Sequence, residues 1–500
     1  MKKNYRLLAL LFTMSLSYGQ TITQVWASPY SLPEKVDRTN PAIADDGTIY
    51  IACDYTTRNT LSAGNTEPNF FAINPDKSMK WQASLTEGTL FDKVDQIQSS
   101  PSINADDSIF MGGHFGRRIY KFNAVTGTFI TRDLGSRIRY TAPAYSDDGN
   151  VIILTRNNGN KGVRNLSPDL ATENWINSTL IDFNSTPAIA SDGTIYAAST
   201  NLSMYAINPD GTQKWTAVYG VTGGFASSAI ALANDGTVYL SAKLNTAGDG
   251  VLKAYKPADG TEKWSVTLIG TNVEQGGPAV AADGTVYLGN AGGTMKAFNP
   301  ANGAELWSFT ASGGIEVVPA IDNLGRIYFG TTTGNFYVLN SDGTLAYDML
   351  DLGDKINSAA AIGSDGRIYV LATLGTGANS GKLYALQTTA TGLQTGGWPM
   401  YARNAKHTSN VDVITLSANK VSAIDGFKVY PNPVKNGEFS ISTQSNGVKS
   451  VQIFDVLGKQ VYSKKIEANE NIKTSNLGTG IYILSVQENG KTDTRKLIID

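Results

Sequence analysis

Between His114 and Arg164 the chain gathers side chains suited to holding an anion. Arg117, Arg118, Lys121, Arg132, Arg137, Arg139, Arg156, Lys161 and Arg164 stand against only Asp133, Asp147 and Asp148. Nine cations against three anions give a local +6 in a chain of net charge −2. Arginine presents a planar fork of donors that matches carboxylate or sulfate oxygens two at a time. Arg117 and Arg118 lie in "GGHFGRRIY" (Gly112–Tyr120), with Arg137 and Arg139 in "GSRIRYTAP" (Gly135–Pro143). His114 and Tyr140 share these stretches. An imidazole and a phenol beside an arginine-held carboxylate are the base and acid that elimination from a uronate requires. The same pattern also suits arginines solvated along an exposed edge.

Other chemistry finds little support. A single cysteine, Cys53, excludes an intrachain disulfide and a multi-cysteine metal site, and two histidines, His114 and His407, argue against a histidine-rich one. There is no G-x-S-x-G elbow, no H-E-x-x-H and no phosphate-cradling glycine loop. No cofactor and no metal are expected. The near-neutral charge gives no general attraction to nucleic acid or to an anionic membrane.

The elements that position these residues follow from repetition. "PAIADDGTIY" (Pro41–Tyr50) returns as "PAIASDGTIY" (Pro187–Tyr196), "PAVAADGTVY" (Pro278–Tyr287) and five further variants, mostly at intervals in the forties. A second phrase, "AINPDGTQKW" (Ala206–Trp215), interleaves with it as "AYKPADGTEKW" (Ala254–Trp264) and "AFNPANGAELW" (Ala297–Trp307). Asp-Gly and Asn-Gly are hairpin signals, read here as two-residue turns with both central residues left-handed. Their regular recurrence predicts turns rather than calcium sites. "TIYAA" and "TVYLG" alternate like half-buried strands. Eight such units predict an all-β, eight-bladed β-propeller of four-stranded blades over residues 20–410.

The Ala-…-Gly-…-Trp phrase resembles the tryptophan-docking motif of pyrroloquinoline-quinone-type propellers. That family includes quinoprotein alcohol dehydrogenases and a cofactor-free lipoprotein of outer-membrane assembly. The resemblance implies that Trp26, Trp81, Trp215, Trp264 and Trp307 dock blade on blade, with Thr131 and Tyr347 replacing tryptophan in two blades. The adjacent cysteines of several quinoproteins are impossible here, and no Glu-Asn-Asp calcium set can be assigned. "TQVWASPY" (Thr23–Tyr30) reads as an outer strand without its own blade, so Trp26 is expected to complete blade eight. "GWPMYARNAKHTSN" (Gly397–Asn410) resembles a segment that such propellers carry at one end of the ring, with His407 in a structural role.

The two ends of the chain read differently. Residues 1–19 have the basic start, apolar run and small-residue close of a secretory signal peptide, and no other segment is long and apolar enough to span a bilayer as a helix. After a linker at 411–426, residues 427–500 predict a small β-sandwich. Its "YPNP", "DVLGK" and "LGTGIY" phrases resemble the type A C-terminal sorting domain of the type IX secretion system of Bacteroidota. That resemblance implies export across the outer membrane and a tail removed on arrival, the product being released or held at the cell surface. The strand pattern alone also suits a carbohydrate-binding sandwich.

Three functions are compatible with these observations. One is a secreted, monomeric propeller that binds a glycan or protein, its other partner being the secretion machinery. Another is a lyase-like enzyme on an anionic polysaccharide, using His114, Tyr140 and the arginines. The third, a quinoprotein dehydrogenase, is the least supported.

Overall fold

The computed structural model describes residues 20–411 and 424–499, except 37, 55–67, 86–96, 158–160, 181, 222–225, 227–228, 274–275, 354, 376–379, 425–426, 433, 435–436, 446, 456–459, 468–470 and 489–490. The expected leader at 1–19 and most of the expected linker at 411–426 lie outside the described residues. The chain divides into two compact units, one ending at Thr415 and the other starting at Leu416.

The first unit is an eight-bladed propeller of four-stranded antiparallel blades. In blade one the strands run outward as Ala42–Ile43, Ile49–Ala52, Phe70–Ile73 and Met79–Ala83. Blade eight is built from both ends of the unit. Its three inner strands are Ala361–Ile362, Arg367–Thr373 and Gly381–Gln387, and Thr23–Gln24 with Tyr30–Leu32 forms its outer edge. Thr23 pairs with Gln387 and Tyr30 with Leu383, so the ring closes through hydrogen bonds. Closure removes an exposed strand edge.

Two expectations are corrected. "TIYAA" and "TVYLG" are not half-buried: Ile195–Ala198 and Val286–Gly289 are buried on both faces, because each blade is sandwiched between two others. In the propeller, alternation is clearest in outer strands such as Glu262–Leu268 and Glu305–Thr310. The Asp-Gly turns carry one left-handed residue, not two. Gly47, at φ +80°, donates to the Ala44 carbonyl, and Thr48 pairs with Ala44 across it, a type I turn closed by a glycine bulge. Asp46 Oδ1 accepts the Thr48 amide at 2.9 Å, and Lys80 reaches Asp46 Oδ2 at 2.9 Å. Asp192–Lys214 and Asp235–Lys263 repeat this arrangement. These carboxylates serve the turns.

Blade docking runs from each tryptophan to the next blade. Trp26, Trp81, Trp175, Trp215, Trp264 and Trp307 donate their indole N–H to Pro75, Ala124, Pro209, Pro257, Pro300 and Ser341 carbonyls at 2.8 to 3.1 Å. Gly127, Gly211, Gly260, Gly303 and Gly343 lie beneath the last five indoles, where a Cβ would come within 2.5 to 2.7 Å of the ring. The repeated alanine has a different part: Ala206, Ala254 and Ala297 sit opposite their own blade's tryptophan. At the Thr131 position the neighbouring Arg132 takes over and donates to the Leu170 and Ala171 carbonyls. At Tyr347 the hydroxyl joins Arg326 and Thr389.

Residues 393–410 cross one end of the central channel as a strap. Ile43, Ile103, Tyr145, Ile189, Val280 and Ile321, all on innermost strands, donate to Ala405, Lys406, Thr408, Ser409, Trp398 and Pro399. Lys406 Nζ lies 2.8 Å from Asp45 and 3.4 Å from Asp107 of the adjacent turns. His407 is fully buried with Nδ1 at 2.8 Å from the Pro101 carbonyl, so that nitrogen carries the hydrogen. The role is structural.

The second unit has two sheets. Lys428–Tyr430, Glu438–Ser442 and Asn471–Lys473 form one, while Gln460–Ile466, Lys449–Phe454, Gly480–Glu488 and Lys491–Ile499 form the other. Leu484 and Val486 alternate into a core with Phe439, Ile441, Val451 and Ile453. Most of the "DVLGK" phrase, residues 456–459, lies outside the described residues.

Candidate functional site

The strap meets the channel beside the Asp-Gly turns. The arginine-bearing loops emerge at the other end, where outer strands hand over to the next blade and second strands turn into third ones. Four of the nine cations are committed to structure. Arg132 and Arg164 pair with Glu173 at 3.7 and 3.0 Å, and Arg164 Nη2 also donates to Leu134 O, which joins blade two to blade three. Lys121 pairs with Asp106 and Lys161 with Asp182. Arg117 and Arg118 are half-buried on blade two, with Arg118 opposite Asp133 in the strand register.

Arg137, Arg139 and Tyr140 lie on the connection from blade two to blade three, and Tyr140 lines a cavity there. Tyr140 is held left-handed at φ +56°, its amide donating to the Gln98 carbonyl at 2.6 Å. Arg139 Nε donates to Gln98 Oε1 at 2.6 Å and Nη2 to the Tyr140 hydroxyl. The guanidinium carbons of Arg139 and Arg38 lie 4.2 and 4.4 Å from the Tyr140 ring centre. Cations over a phenol ring are attracted by its π face. Arg137 lies over Phe115 at 4.7 Å, and its backbone exchanges two hydrogen bonds with Arg156, at 3.0 and 2.9 Å. Arg156 Nη1 donates to Asn184 Oδ1. Burial first, and then the nearby Arg139 cation, lower the Arg156 guanidinium from its usual value. Burial pushes the Asp182 carboxyl up, but the Asn157 amide, Lys161 and Arg156 outweigh it and hold the group below its usual range.

His114 does not present itself as an open base. It is only 4% exposed, with its ring against Phe115 at 4.2 Å. Sequence reading missed three contributors. Trp175 escaped because no Asn-Pro-Gly phrase precedes it. Arg38 and Asn184 are far from the basic cluster in the chain, and only the ring brings them to it.

A cavity of about 40 Å³ opens beside Tyr140, lined among others by Arg38, Asn40, Glu316, Asn357 and Tyr401. Such a space holds a few waters. The Tyr401 hydroxyl is held at 2.7 Å by Thr186 Oγ1. A tricyclic quinone requires a pocket of roughly 300 Å³ or more. Cys53 is buried, and among the described residues no three His, Cys, Asp or Glu side chains group to hold its metal. The residues around this cavity do not fit that cofactor.

Residues 428–500 match the family described as the secretion system C-terminal sorting domain. The second unit is such a sorting domain. Ulvan lyase NLR42 of Nonlabens ulvanivorans is 38% identical to this chain over 94 residues, which are 18% of this chain and 17% of that protein. The chain therefore spans about a sixth of that relative's length. Among solved structures, BamB of Moraxella catarrhalis is similar to the chain with 16% identity and a TM-score of 0.52, over 74% of this chain and 100% of that one. A europium-containing methanol dehydrogenase matches with 13% identity and a TM-score of 0.53, over 73% and 93%. At such identities the likeness is one of fold, and it sets the propeller that accompanies the sorting domain among the pyrroloquinoline-quinone-type architectures.

Proposed function

We propose that this protein is a propeller exported through type IX secretion, which binds an anionic glycan at or beyond the cell surface. One observation carries the binding part. Arg38 and Arg139 lie over the Tyr140 ring, Arg137, two residues before Arg139 on the same connection, pairs with Arg156, and no carboxylate among the described residues forms an ion pair with Arg137 or Arg139. The sorting domain and the leader-like residues 1–19 support export. The binding part is tested with the purified chain on an array of uronate, sulfated and neutral polymers at low and moderate salt. Retention of the charged polymers, lost in an Arg137→Ala/Arg139→Ala double variant, is the expected result. Retention that the double variant leaves unchanged overturns it.

A second reading, a lyase acting on the same polymers, draws on the short match with an ulvan lyase and on Tyr140 beside two arginines. In it Tyr140 would exchange the proton while Arg139 neutralises the carboxylate. Ultraviolet absorbance from unsaturated uronate ends, lost in Tyr140→Phe, decides for it. No absorbance change leaves a binding protein.

A further inference from the structure

Arg137 lies on the connection from blade two to blade three, Arg156 after the second strand of blade three, and Asn184 on the connection to blade four. Arg137 and Arg156 exchange both backbone hydrogen bonds, so they face each other directly as an antiparallel pair. Side chains of such a pair project to the same side, and like charges placed there repel. No acidic side chain among the described residues forms an ion pair with either one. Asp182, the acidic group nearest to Arg156, is engaged by the Asn157 amide at 3.1 Å and by Lys161 at 3.1 Å.

Two buried donors sharpen the imbalance. Asn184 is 1% exposed, and its Oδ1 is occupied by Arg156 Nη1. This fixes the amide orientation, since the reverse would point an NH2 group at the guanidinium. Asn184 Nδ2 and Arg156 Nε are then buried without an acceptor among the described residues. Buried donors without partners are uncommon and costly. Donors grouped under two guanidinium cations favour an acceptor with negative charge over a neutral hydroxyl, and would repel a cation.

We propose that Arg137, Arg156 and Asn184 form a subsite for a single oxyanion, a carboxylate or sulfate group of the bound glycan. It deepens the binding reading given above and rests on it for the source of the anion. The Arg137 fork, stacked on Phe115, supplies the outer donors, while Arg156 Nε and Asn184 Nδ2 supply the inner ones.

The test is calorimetric titration of the full chain with D-glucuronate, with inorganic sulfate and with neutral D-glucose at constant ionic strength. Saturable binding of either anion and none of glucose is expected. Asn184→Asp places a carboxylate in the subsite itself, so it should melt above wild type without ligand and lose anion binding. A residue that merely packs would give a variant no more stable than wild type. Should Asn184→Asp fail to fold, Arg137→Gln, at a half-exposed position, should weaken the anion by about tenfold or more, the scale of one charge-assisted hydrogen bond. Absence of saturable binding in wild type, or equal binding in the variants, overturns the subsite. Polymer retention that survives Asn184→Asp but not Arg137→Ala/Arg139→Ala overturns the subsite and keeps the binding reading. Glucuronate or sulfate binding without any polymer binding does the reverse.

Discussion

The Trp264 indole lies face-on against Gly303 of the following blade while its Nε1 donates to the Pro300 carbonyl at 2.8 Å. Backbone and ring are in contact with no room for a side chain, and Gly303 is left-handed at φ +72°. A Cβ there would sit 2.6 Å from the indole. Gly303→Ala is therefore expected to cost about 2–4 kcal/mol, from overpacking together with backbone strain. Urea denaturation measures it, and an unshifted midpoint would show that the blades can part without penalty.

Removing the ring should cost more where it is better buried. Trp264 is 7% exposed, whereas Trp307 is half-buried. Trp307→Ala should destabilise by about 3 kcal/mol and Trp264→Ala by nearer 5 kcal/mol, the usual span for aromatic-to-alanine changes. The polar face at the far end of the channel is untouched, so anion binding per folded molecule should persist. A Trp264→Ala protein that unfolds like wild type would contradict the docking role.

Closure of the ring depends on the first described residues. Trp26 bonds to Pro75 of blade one, and Leu32 is fully buried beside blade eight. Deleting residues 20–32 should bare the Gly381–Gln387 edge and promote association of chains, as unpaired strand edges do. Light scattering and limited proteolysis follow this. A monodisperse, protease-resistant deletion variant would mean that the edge is covered in some other way.

His407 predicts a pH dependence. Burial lowers its pKa from 6.5 to about 4, only partly opposed by the Pro101 carbonyl. The folded state therefore keeps it neutral at a pH where the unfolded chain already takes up the proton. Stability from this residue is complete above pH 6.5 and is lost as pH falls toward 4. At ~1.36 kcal/mol per pH unit the loss is about 3 kcal/mol. A His407→Gln variant should be less stable than wild type near neutrality and lose less on acidification. Parallel curves of unfolding free energy against pH for the two proteins would refute this.

The blades were legible because each repeats a local chemistry: an Asp that accepts the amide two residues on, a left-handed Gly, then buried strands. Trp26 could be assigned to blade eight because it stood in a strand with no preceding partner. Trp175 could not, since Ser167–Thr172 builds its turn without Asn-Pro-Gly and places Leu170 left-handed instead. The arginine cluster was visible as charge but not as geometry. Which arginines enter the seam depends on blade-to-blade registration: Arg132 and Arg164 turn into the seam with Glu173, while Arg137 meets Arg156 across a two-residue bridge. His114 looked available beside two glycines. Its burial depends on Phe115 and the neighbouring connection, which no local pattern encodes.

The last prediction separates the two arginines of the binding reading. Arg139 holds Gln98 and the Tyr140 hydroxyl as well as lying over the Tyr140 ring, so its removal loosens the loop along with the charge. Among the described residues the Arg137 side chain is held by the Phe115 ring, and its backbone by Arg156, so Arg137→Ala removes a guanidinium with little else. Each should weaken polyanion binding about 10- to 100-fold, as loss of a hydrogen bond to a charged group does. Binding that falls as salt rises should fall less steeply in either variant, because fewer charges meet. Arg139→Lys keeps the charge but not the fork, and should restore the salt dependence without restoring the affinity. Surface plasmon resonance on an immobilised uronate polymer, at three salt concentrations, reads both quantities. Equal affinities and equal salt slopes across wild type and the three variants would mean that the arginines around Tyr140 do not meet the ligand.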